Sequence, residues 1–473
     1  MRPTSFWMKH FGILGLPASI RSRALFTCLL TAMLFLAGSR AWAQESISQE
    51  EPTPSSATDE VTSIDRSFVE KPAPAVLFPR LKEELKNTPP FFRDTDLDLK
   101  IRSYYFHENK FNDSNSEAWA LGGAISYKSG WLLDRFAAGA VLYTSQPLYA
   151  PDDRDGTDLL QQGQKGYTVV GQLYGRVKLF EDHYLNLYRY EYNTPYLNKD
   201  DSRMTPKTFE GYTLIGALKG TGTDAWTVRY GGGYLTKMKD RTSENFVWMS
   251  RAAGANADRG VVAEGALFSY RGFSIGAFDY YSPDIINIGY AEVKYAWPVT
   301  DKLAVLGAAQ FTDQRSVGGD LLTGSSFETR QEGVKTSLSY AGAILNLLFT
   351  ANGDGTNMRE PWSSYPGYTA AMVENFDQAG ENAFGAKVSY DFRGIGLEGV
   401  TAYALFVHGW GQVNPSSGPN QDELDTDLQW RPLSHFPKGL WLRGRYAIVH
   451  QNESPGNYIH ELRVILNYEI PLL

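Results

Sequence analysis

The sequence predicts an all-β protein, a transmembrane antiparallel β-barrel, and three observations lead to this fold class. From about Asp94 onward, apolar residues recur at every second position, as in a β-strand with one apolar face. The alternating runs are about 10 residues long, the length with which a tilted strand crosses a membrane. Tyrosine and tryptophan gather near the ends of these runs, where the two membrane interfaces would lie.

The N-terminus predicts a secretory signal peptide. Residues 1–23 carry basic residues and no acid, residues 24–38 are apolar, and the sequence Ala-Trp-Ala at 41–43 offers small residues to a signal peptidase. The apolar stretch of about 15 residues is shorter than the roughly 20 that a membrane-spanning helix needs. We therefore expect a signal peptide at 1–43, cleaved before Gln44, and export by the Sec route.

Charge and cysteine content exclude several classes of function. Without residues 1–43 the chain has 40 basic and 53 acidic residues, a net charge of −13, which argues against nucleic acid as a partner. The only cysteine, Cys28, lies in the predicted signal, so no disulfide or cysteine metal site is expected. No later segment reaches 18 consecutive apolar residues, so helical membrane spans are not expected.

Residues 44–93 differ in composition from the rest of the chain. Residues 44–60 are acidic and rich in serine, proline and threonine, a composition that favours disorder. Residues 78–87 can form one short helix, which Pro79 would open. We predict a periplasmic disordered or linker segment at 44–93, followed by the barrel at 94–473.

Two runs illustrate the predicted strands. The run "DLDLKIRSYY" (96–105) alternates leucine and isoleucine with aspartate, lysine and arginine. The run "TVVGQLYGRVKL" (168–179) places Val169 and Leu173 on an apolar face, opposite polar and basic residues. A soluble sandwich would bury such apolar faces inside, whereas a barrel turns them towards lipid and keeps the polar faces in a wet lumen.

Strand length, aromatic ends and the regular basic residues favour the barrel. About 380 residues, at roughly 20 per strand and connection, correspond to 16 to 20 strands. Closure also removes the sheet edges, which lipid would leave without hydrogen-bond partners.

Three stretches resemble the OprD family of outer-membrane porins. They are "LDLKIRSYYF" (97–106), "DDSRMTPKTFEGYTL" (200–214) and residues 374–407. The second is similar to the family pattern D-x-R-L-x-P-x-T-F-x-G. The resemblance implies a barrel of about 18 strands in the bacterial outer membrane and passive, substrate-selective uptake of small polar solutes such as amino acids and carboxylates.

The resemblance also implies a constriction. The loop at 193–214 is expected to fold back into the pore and to present Asp200, Asp201 and Arg203 there. A second loop, at 351–368, matches the family only around Gly353 and Asp354, and the match makes Asp354 the expected constriction acid. The chain departs from many outer-membrane barrels by ending in leucine, and its segment 44–93 is longer than the family's usual start.

Basic residues recur on the face opposite the apolar one, and the resemblance implies that they form a ladder along one wall of the lumen. The predicted ladder consists of Lys100, Arg102, Arg176, Lys178, Arg229, Arg443, Arg445 and Arg463. Guanidinium groups lower the free energy of a carboxylate in a narrow passage and bind it in a bidentate manner. Alternatively, these are ordinary lumen residues paired with acids such as Asp98, Glu210 and Glu461.

No catalytic residue, cofactor or metal site is predicted. The acidic run at 152–160 lacks the spacing of an EF-hand, and no nucleophile motif or phosphate-binding loop is present. The protein is therefore not expected to be an enzyme, although a barrel enzyme and a polysaccharide-export barrel remain alternatives. The expected partners are outer-membrane lipid and small solutes, and the expected assembly is a monomer or a weak trimer.

Overall fold

A computed structural model of the protein describes residues 76–222, 225–413, 420–432, 439–451 and 458–473. In this part of the chain, eighteen long strands belong to one sheet, joined by turns, loops and short helices. No helix within these residues has the length and apolar character needed to cross a membrane. The predicted signal peptide lies outside the described residues, as does the linker up to residue 75.

The eighteen strands follow one another along the chain. The first nine are β1 Asp96–Asn109, β2 Asn115–Lys128, β3 Phe136–Tyr149, β4 Tyr167–Phe180, β5 His183–Tyr190, β6 Thr208–Lys219, β7 Thr227–Lys239, β8 Val261–Tyr270 and β9 Phe273–Ser282. The second nine are β10 Ile286–Pro298, β11 Leu303–Arg315, β12 Glu328–Tyr340, β13 Ala343–Asn352, β14 Asn382–Asp391, β15 Val400–Trp410, β16 Gln421–Trp430, β17 Leu440–Gln451 and β18 Tyr458–Pro471.

The sheet closes on itself. Each strand pairs in antiparallel fashion with the next one in the chain, and β18 pairs with β1 from Asp98↔Pro471 to Asn109↔His460. Closure pairs the backbone groups of every long strand on both sides, which a membrane-spanning sheet requires. The predicted fold class, an antiparallel barrel of about 18 strands, is confirmed.

The two faces of the barrel differ as the alternation predicts. On β2, Trp119, Leu121 and Ile125 point outward and are 40–46% exposed. On β18, Glu461 and Arg463 point inward and are 2–3% exposed. The apolar outer face therefore suits lipid, and the polar inner face lines a lumen.

One strand departs from simple alternation. Between β3 and β4 the register shifts, because β4 contains one extra residue at Gly171. Val169 therefore points into the lumen and is buried, whereas Leu173 points outward. The prediction that both lie on one apolar face was wrong, since a bulge reverses the side on which the following residues lie. A Cβ on Gly171 would lie 2.5 Å from the ring of Tyr143, so this position requires glycine.

The two ends of the barrel have different connections. One end carries tight turns, such as those at 181–182, 271–272 and 341–342. The other end carries the long loops at 191–207 and 353–381, which we call loop A and loop B. Because barrels of this kind have short periplasmic turns and longer extracellular loops, the tight-turn end faces the periplasm.

The chain before β1 is folded against the periplasmic end. It forms two short helices, α1 Pro79–Leu85 and α2 Pro90–Arg93. The backbone N–H of Leu77 donates to the carbonyl of Pro471 at 2.8 Å, so this segment pairs with the end of β18. Helix α1 lies within residues 78–87, where the sequence allows one short helix opened by Pro79, and the pairing with the C-terminus adds hydrogen bonds that local composition does not reveal.

Candidate functional site

Loop A crosses the lumen. On one side the Tyr196 N–H donates to the hydroxyl of Tyr280 on β9, and the Tyr196 hydroxyl lies 3.5 Å from that of Thr312 on β11. On the other side, Asp201 binds Arg102 of β1 at 2.6 Å. Strands β1 and β11 are eight and ten positions apart around the eighteen-stranded ring, so these attachments lie on nearly opposite walls.

A cluster of buried apolar side chains fixes loop A to the wall formed by β6–β10, which we call the sealed wall. Tyr196 and Leu197 of loop A, and Trp362 and Tyr365 of loop B, pack there with side chains of the strands. Tyr196 and Trp362 are fully buried. Burying a large apolar side chain contributes about 1.5–3 kcal/mol, which offsets part of the entropy lost in ordering the loops.

Loop B lies beside loop A in the lumen. Its Tyr368 hydroxyl donates to Glu292 of β10 at 2.7 Å, and Thr369 lies 2.6 Å from Thr350 of β13. The two loops touch where the Ser364 N–H donates to the Asn198 side chain at 3.3 Å. Together they leave only part of the barrel's cross-section open.

The structure brings three of the four predicted constriction residues together. Asp200 lies 3.4 Å from both Lys207 and Arg241, and Asp201 binds Arg102. Arg203 donates to the backbone carbonyl of Thr157 at 3.1 Å. Burial alone raises the pKa of Asp201, but Arg102 and Lys100 outweigh it and leave this pKa below its ordinary value.

The fourth predicted constriction residue, Asp354, lies elsewhere. It is exposed, follows directly after the extracellular end of β13, and sits beside Gly380 at the rim. The structure therefore does not place Asp354 with Asp200, Asp201 and Arg203. Loop B turns inward only beyond this residue, which the sequence match at Gly353 and Asp354 did not reveal.

Five of the eight predicted ladder residues form a strip on three adjacent strands. Arg445 of β17 lies opposite Arg463 of β18, which in turn lies opposite Phe106 of β1. On β17, Arg443 lies two residues closer to the periplasm than Arg445. On β1, Arg102 lies four residues closer to the periplasm than Phe106, and Lys100 lies six residues closer. At about 3.3 Å per residue, the strip is about 20 Å long.

Arg203 of loop A joins the extracellular end of this strip. Its guanidinium carbon lies 5.0 Å from the ring centre of Phe106, and that of Arg463 lies 5.8 Å from the same ring. Burial and the nearby Arg463 lower the pKa of Arg203. We use the name cation strip for Lys100, Arg102, Arg203, Arg443, Arg445 and Arg463.

The other three predicted ladder residues lie away from the cation strip. Arg176 of β4 donates to Asn186 at 2.9 Å, and Lys178 lies 3.3 Å from Asp134 at the periplasmic rim. Arg229 is on β7, in register with Ala217 and Leu267. Basic residues thus occur around the barrel, and within the described residues the continuous series lies on β17, β18 and β1.

Three carboxylates pair directly with members of the cation strip. Asp427, which is fully buried, is shared by Arg443 at 2.7 Å and Arg445 at 3.0 Å. Arg463 pairs with Glu461, and Asp201 serves both Arg102 and Lys100. Among the described residues, six cations therefore have three carboxylates within 4 Å, although Glu469 lies opposite Lys100 in the register.

Sequence reasoning missed three lysines that face the lumen. Lys294 of β10 pairs with Glu292 at 2.9 Å, and both side chains are at most 4% exposed. Lys335 of β12 and Lys387 of β14 lie 5.3 Å and 4.3 Å from the ring centres of Tyr368 and Tyr403. Their positions on the polar face of alternating strands were a usable signal.

Sequence reasoning also missed the acids of loop B. Burial and mutual repulsion raise the pKa of Glu360, Glu374 and Glu381 to about 7, and burial raises that of Asp377 to about 6. No local pattern identifies these residues, because they become lumenal only when the loop folds inward.

Two cavities open on the periplasmic side of the loops. One, of about 460 Å³, is lined by Lys100, Arg102 and Asp201 together with Tyr143 and Lys199. The other, of about 260 Å³, is lined by residues that include Arg443, Lys387 and Tyr403. Each cavity contains a member of the cation strip, so the strip leads from the loops towards the periplasmic opening.

The described residues contain no group of three or more histidine, cysteine, aspartate or glutamate side chains able to hold a metal ion. In the acidic run at 152–160, Asp155 accepts the backbone N–H groups of Gly156 and Gly163 at 2.7 and 2.6 Å. This carboxylate therefore stabilises its own loop.

A family model described as "outer membrane porin, OprD family" matches residues 89–472. The chain belongs to the OprD family. Its match to the porin-like protein GalP of Pseudomonas putida is 22% identical over 406 residues, covering 81% of this chain and 93% of GalP. The protein is accordingly a channel of the bacterial outer membrane and not an enzyme, as predicted.

Solved structures agree with the fold. OccK9 (OpdG) of Pseudomonas aeruginosa aligns with a TM-score of 0.72 and 24% identity, over 81% of this chain and 100% of OccK9. OccAB3 of Acinetobacter baumannii aligns with a TM-score of 0.71 and 17% identity, over 80% of this chain and 99% of OccAB3. OpdK of Pseudomonas aeruginosa, solved with vanillate, aligns with a TM-score of 0.69 and 19% identity, over 80% of this chain and 100% of OpdK.

Proposed function

We propose that this substrate-specific OprD-family porin conducts small anionic and zwitterionic solutes, carboxylates and amino acids foremost, by passive diffusion along the cation strip. The solute enters between the long loops, meets Arg203, Arg463 and Arg445 first, and leaves past Arg102 and Lys100. The sealed wall confines it to this side of the lumen.

The observation that carries the proposal is the series of six cations along one wall. Three carboxylates lie within 4 Å of these cations, so the cations outnumber the carboxylates that pair with them directly. Guanidinium groups suit this role because they stay charged and bind a carboxylate through two parallel hydrogen bonds. Several weak sites in series let the solute leave as easily as it enters.

The same geometry supports zwitterions. Glu374 belongs to the segment of loop B that binds Glu423 beside the cation strip, and Asp377 follows three residues later. An α-ammonium group is the natural counterpart of these carboxylates. The solved relative OpdK was obtained with vanillate, which makes that anion a suitable test solute here.

The test is single-channel recording in a planar bilayer under a salt gradient. The wild-type channel should show a reversal potential whose sign indicates that anions permeate more readily than cations. Vanillate should reduce the chloride current. In Arg443→Ala/Arg445→Ala, loss of two lumen cations should weaken the anion preference by about 1 kcal/mol, roughly fivefold in permeability ratio.

The control is Arg251→Ala, since this exposed arginine pairs with Asp258 on an extracellular loop outside the strip. It should leave the reversal potential unchanged. A cation-side reversal potential in the wild type, or an equal shift in both variants, would contradict the role of the cation strip.

A further inference from the structure

Three consecutive backbone N–H groups of loop B bind carboxylates of the barrel wall. Met372 donates to Asp425 at 3.0 Å, Val373 to one oxygen of Glu423 at 2.8 Å, and Glu374 to its other oxygen at 2.7 Å. Both acids point inward from β16, two residues apart. The segment 372–374 is thereby attached to the wall beside the cation strip.

An arginine of the strip completes this attachment. The Nη2 group of Arg463 donates to the backbone carbonyl of Met372 at 2.9 Å, so this residue is bound through both its amide and its carbonyl. Glu423, Asp425 and Arg463 are at most 3% exposed. Charged groups buried this deeply require partners, and the partners of Glu423 include two peptide N–H groups of loop B.

The rest of loop B is held by other contacts on either side of this segment. Thr369 bonds to Thr350, and the backbone carbonyl of Phe376 accepts a hydrogen bond from the Asn352 side chain at 2.9 Å. Phe376 is itself fully buried. Residues 370–375 thus form a short span fixed at both ends, whose distance from the strip depends on the contacts to β16 and β18.

We infer that Glu423 and Asp425 are positioning residues, which hold residues 372–374 against the wall and so set the width of the passage at the extracellular end of the cation strip. Their carboxylates act on the loop backbone, and the solute meets the arginines that the loop leaves uncovered. This inference rests on the proposed function for the identity of the solute, but the position of the loop is measurable without it.

The first measurement is the exposure of the loop. Val373→Cys is introduced together with Cys28→Ser, and the rate of reaction with a charged methanethiosulfonate reagent is followed in detergent. Adding Glu423→Gln replaces one acceptor oxygen with an amide that repels a peptide N–H. The thiol should then react several-fold faster, because the span is released from the wall.

The second measurement is single-channel conductance. Glu423→Gln should give larger steps, by about 1.5-fold or more, with more frequent substates, since a span of six residues moves in the passage. The matched control is Asp427→Asn, which removes a neighbouring inward charge of β16 that binds Arg443 and Arg445 and not the loop. It should change the reversal potential while leaving the thiol rate at position 373 as in the parent chain.

Equal thiol rates and equal conductance in the parent and Glu423→Gln channels would overturn the inference. If Glu423→Gln does not insert, Asp425→Asn serves instead, since it releases only the Met372 N–H. The thiol at position 373 should then also react faster, by a smaller factor. An unchanged thiol rate in Asp425→Asn overturns the inference as well. A wild-type channel without anion preference, combined with a faster thiol rate in Glu423→Gln, would reject the proposed solute class and leave the positioning role standing.

Discussion

The sealed wall and the cation strip line opposite parts of the same lumen and are built by different physics. On the sealed wall, aromatic and aliphatic side chains of both loops pack against β6–β10. Along the strip, basic residues of β17 and β1 share single carboxylates, Asp427 for Arg443 and Arg445 and Asp201 for Arg102 and Lys100. Apolar burial holds the loops on one wall, and the charged residues lie on the other, where we propose that the solute passes.

This division has a clear advantage. Apolar packing contributes stability without a need for water, whereas buried ion pairs cost about as much desolvation energy as they return. The apolar packing therefore supplies stability to the loops, whereas their attachments on the charged side, such as Arg102 with Asp201, contribute less. Substitutions on each wall test this difference.

The largest effect is expected at Trp362, which is fully buried in the sealed wall and donates its indole N–H to the carbonyl of Met249 at 2.9 Å. Trp362→Ala should lower the free energy of unfolding by about 3–5 kcal/mol, because it removes a large side chain from a packed cluster. Urea unfolding in detergent micelles measures this change. Trp297→Ala, on the exposed outer face, is the control, and an equal loss in both variants would contradict the importance of the sealed wall.

An intermediate effect is expected at the pair of Arg102 with Asp201, the main attachment of loop A on the charged side. Arg102→Ala leaves Asp201 with only the 3.4 Å contact to Lys100 and should cost about 2–3 kcal/mol, less than for a fully buried pair because Asp201 is 28% exposed. The same unfolding assay measures it, together with protease cleavage of loop A. Stability equal to that of the wild type would show that the apolar contacts alone hold the loop.

The pH dependence concerns the acids of loop B. Their raised pKa values of about 6 to 7 mean that the folded loop favours the neutral carboxyl, so their contribution to stability is present at low pH and is lost as pH rises through 6–7. As pH falls from 8 to 5, these groups lose negative charge while a carboxylate solute mostly keeps its own.

The anion preference should therefore rise as pH falls, with a midpoint between about 6 and 7, measured as the reversal potential in a series of buffers. The variant Glu374→Gln/Asp377→Asn should flatten the curve. A wild-type curve that is flat between pH 8 and 5 would show that these acids do not face the passage.

The smallest effect is expected at Lys178, which pairs with the exposed Asp134 at the periplasmic rim. Lys178→Ala should change stability by less than about 0.5 kcal/mol, because water and salt screen such pairs. It should also leave the reversal potential within error of the wild type. A shift as large as that of Arg443→Ala/Arg445→Ala would extend the cation strip to β4.

Much of the fold was predictable because alternation is a local property. The side on which Arg463 or Trp119 lies follows from its place in a run of period two. Val169 shows the limit of this reasoning, since one extra residue at Gly171 reverses the faces and the bulge forms in response to the neighbouring strand. The strip itself was predictable only in part, because Arg176, Lys178 and Arg229 satisfy the same pattern on other strands.

Local alternation accounts for the barrel, the outward apolar face and the inward basic residues, because each depends on neighbours within one strand. The position of Asp354 at the rim, the inward fold of loop B and the binding of its backbone by Glu423 and Asp425 follow from tertiary contacts. The contacts of Glu423 with Val373 and Glu374, for example, join residues about 50 positions apart in the chain. Their partners become neighbours only when the barrel closes and the loops fold inward, and no local pattern records that step.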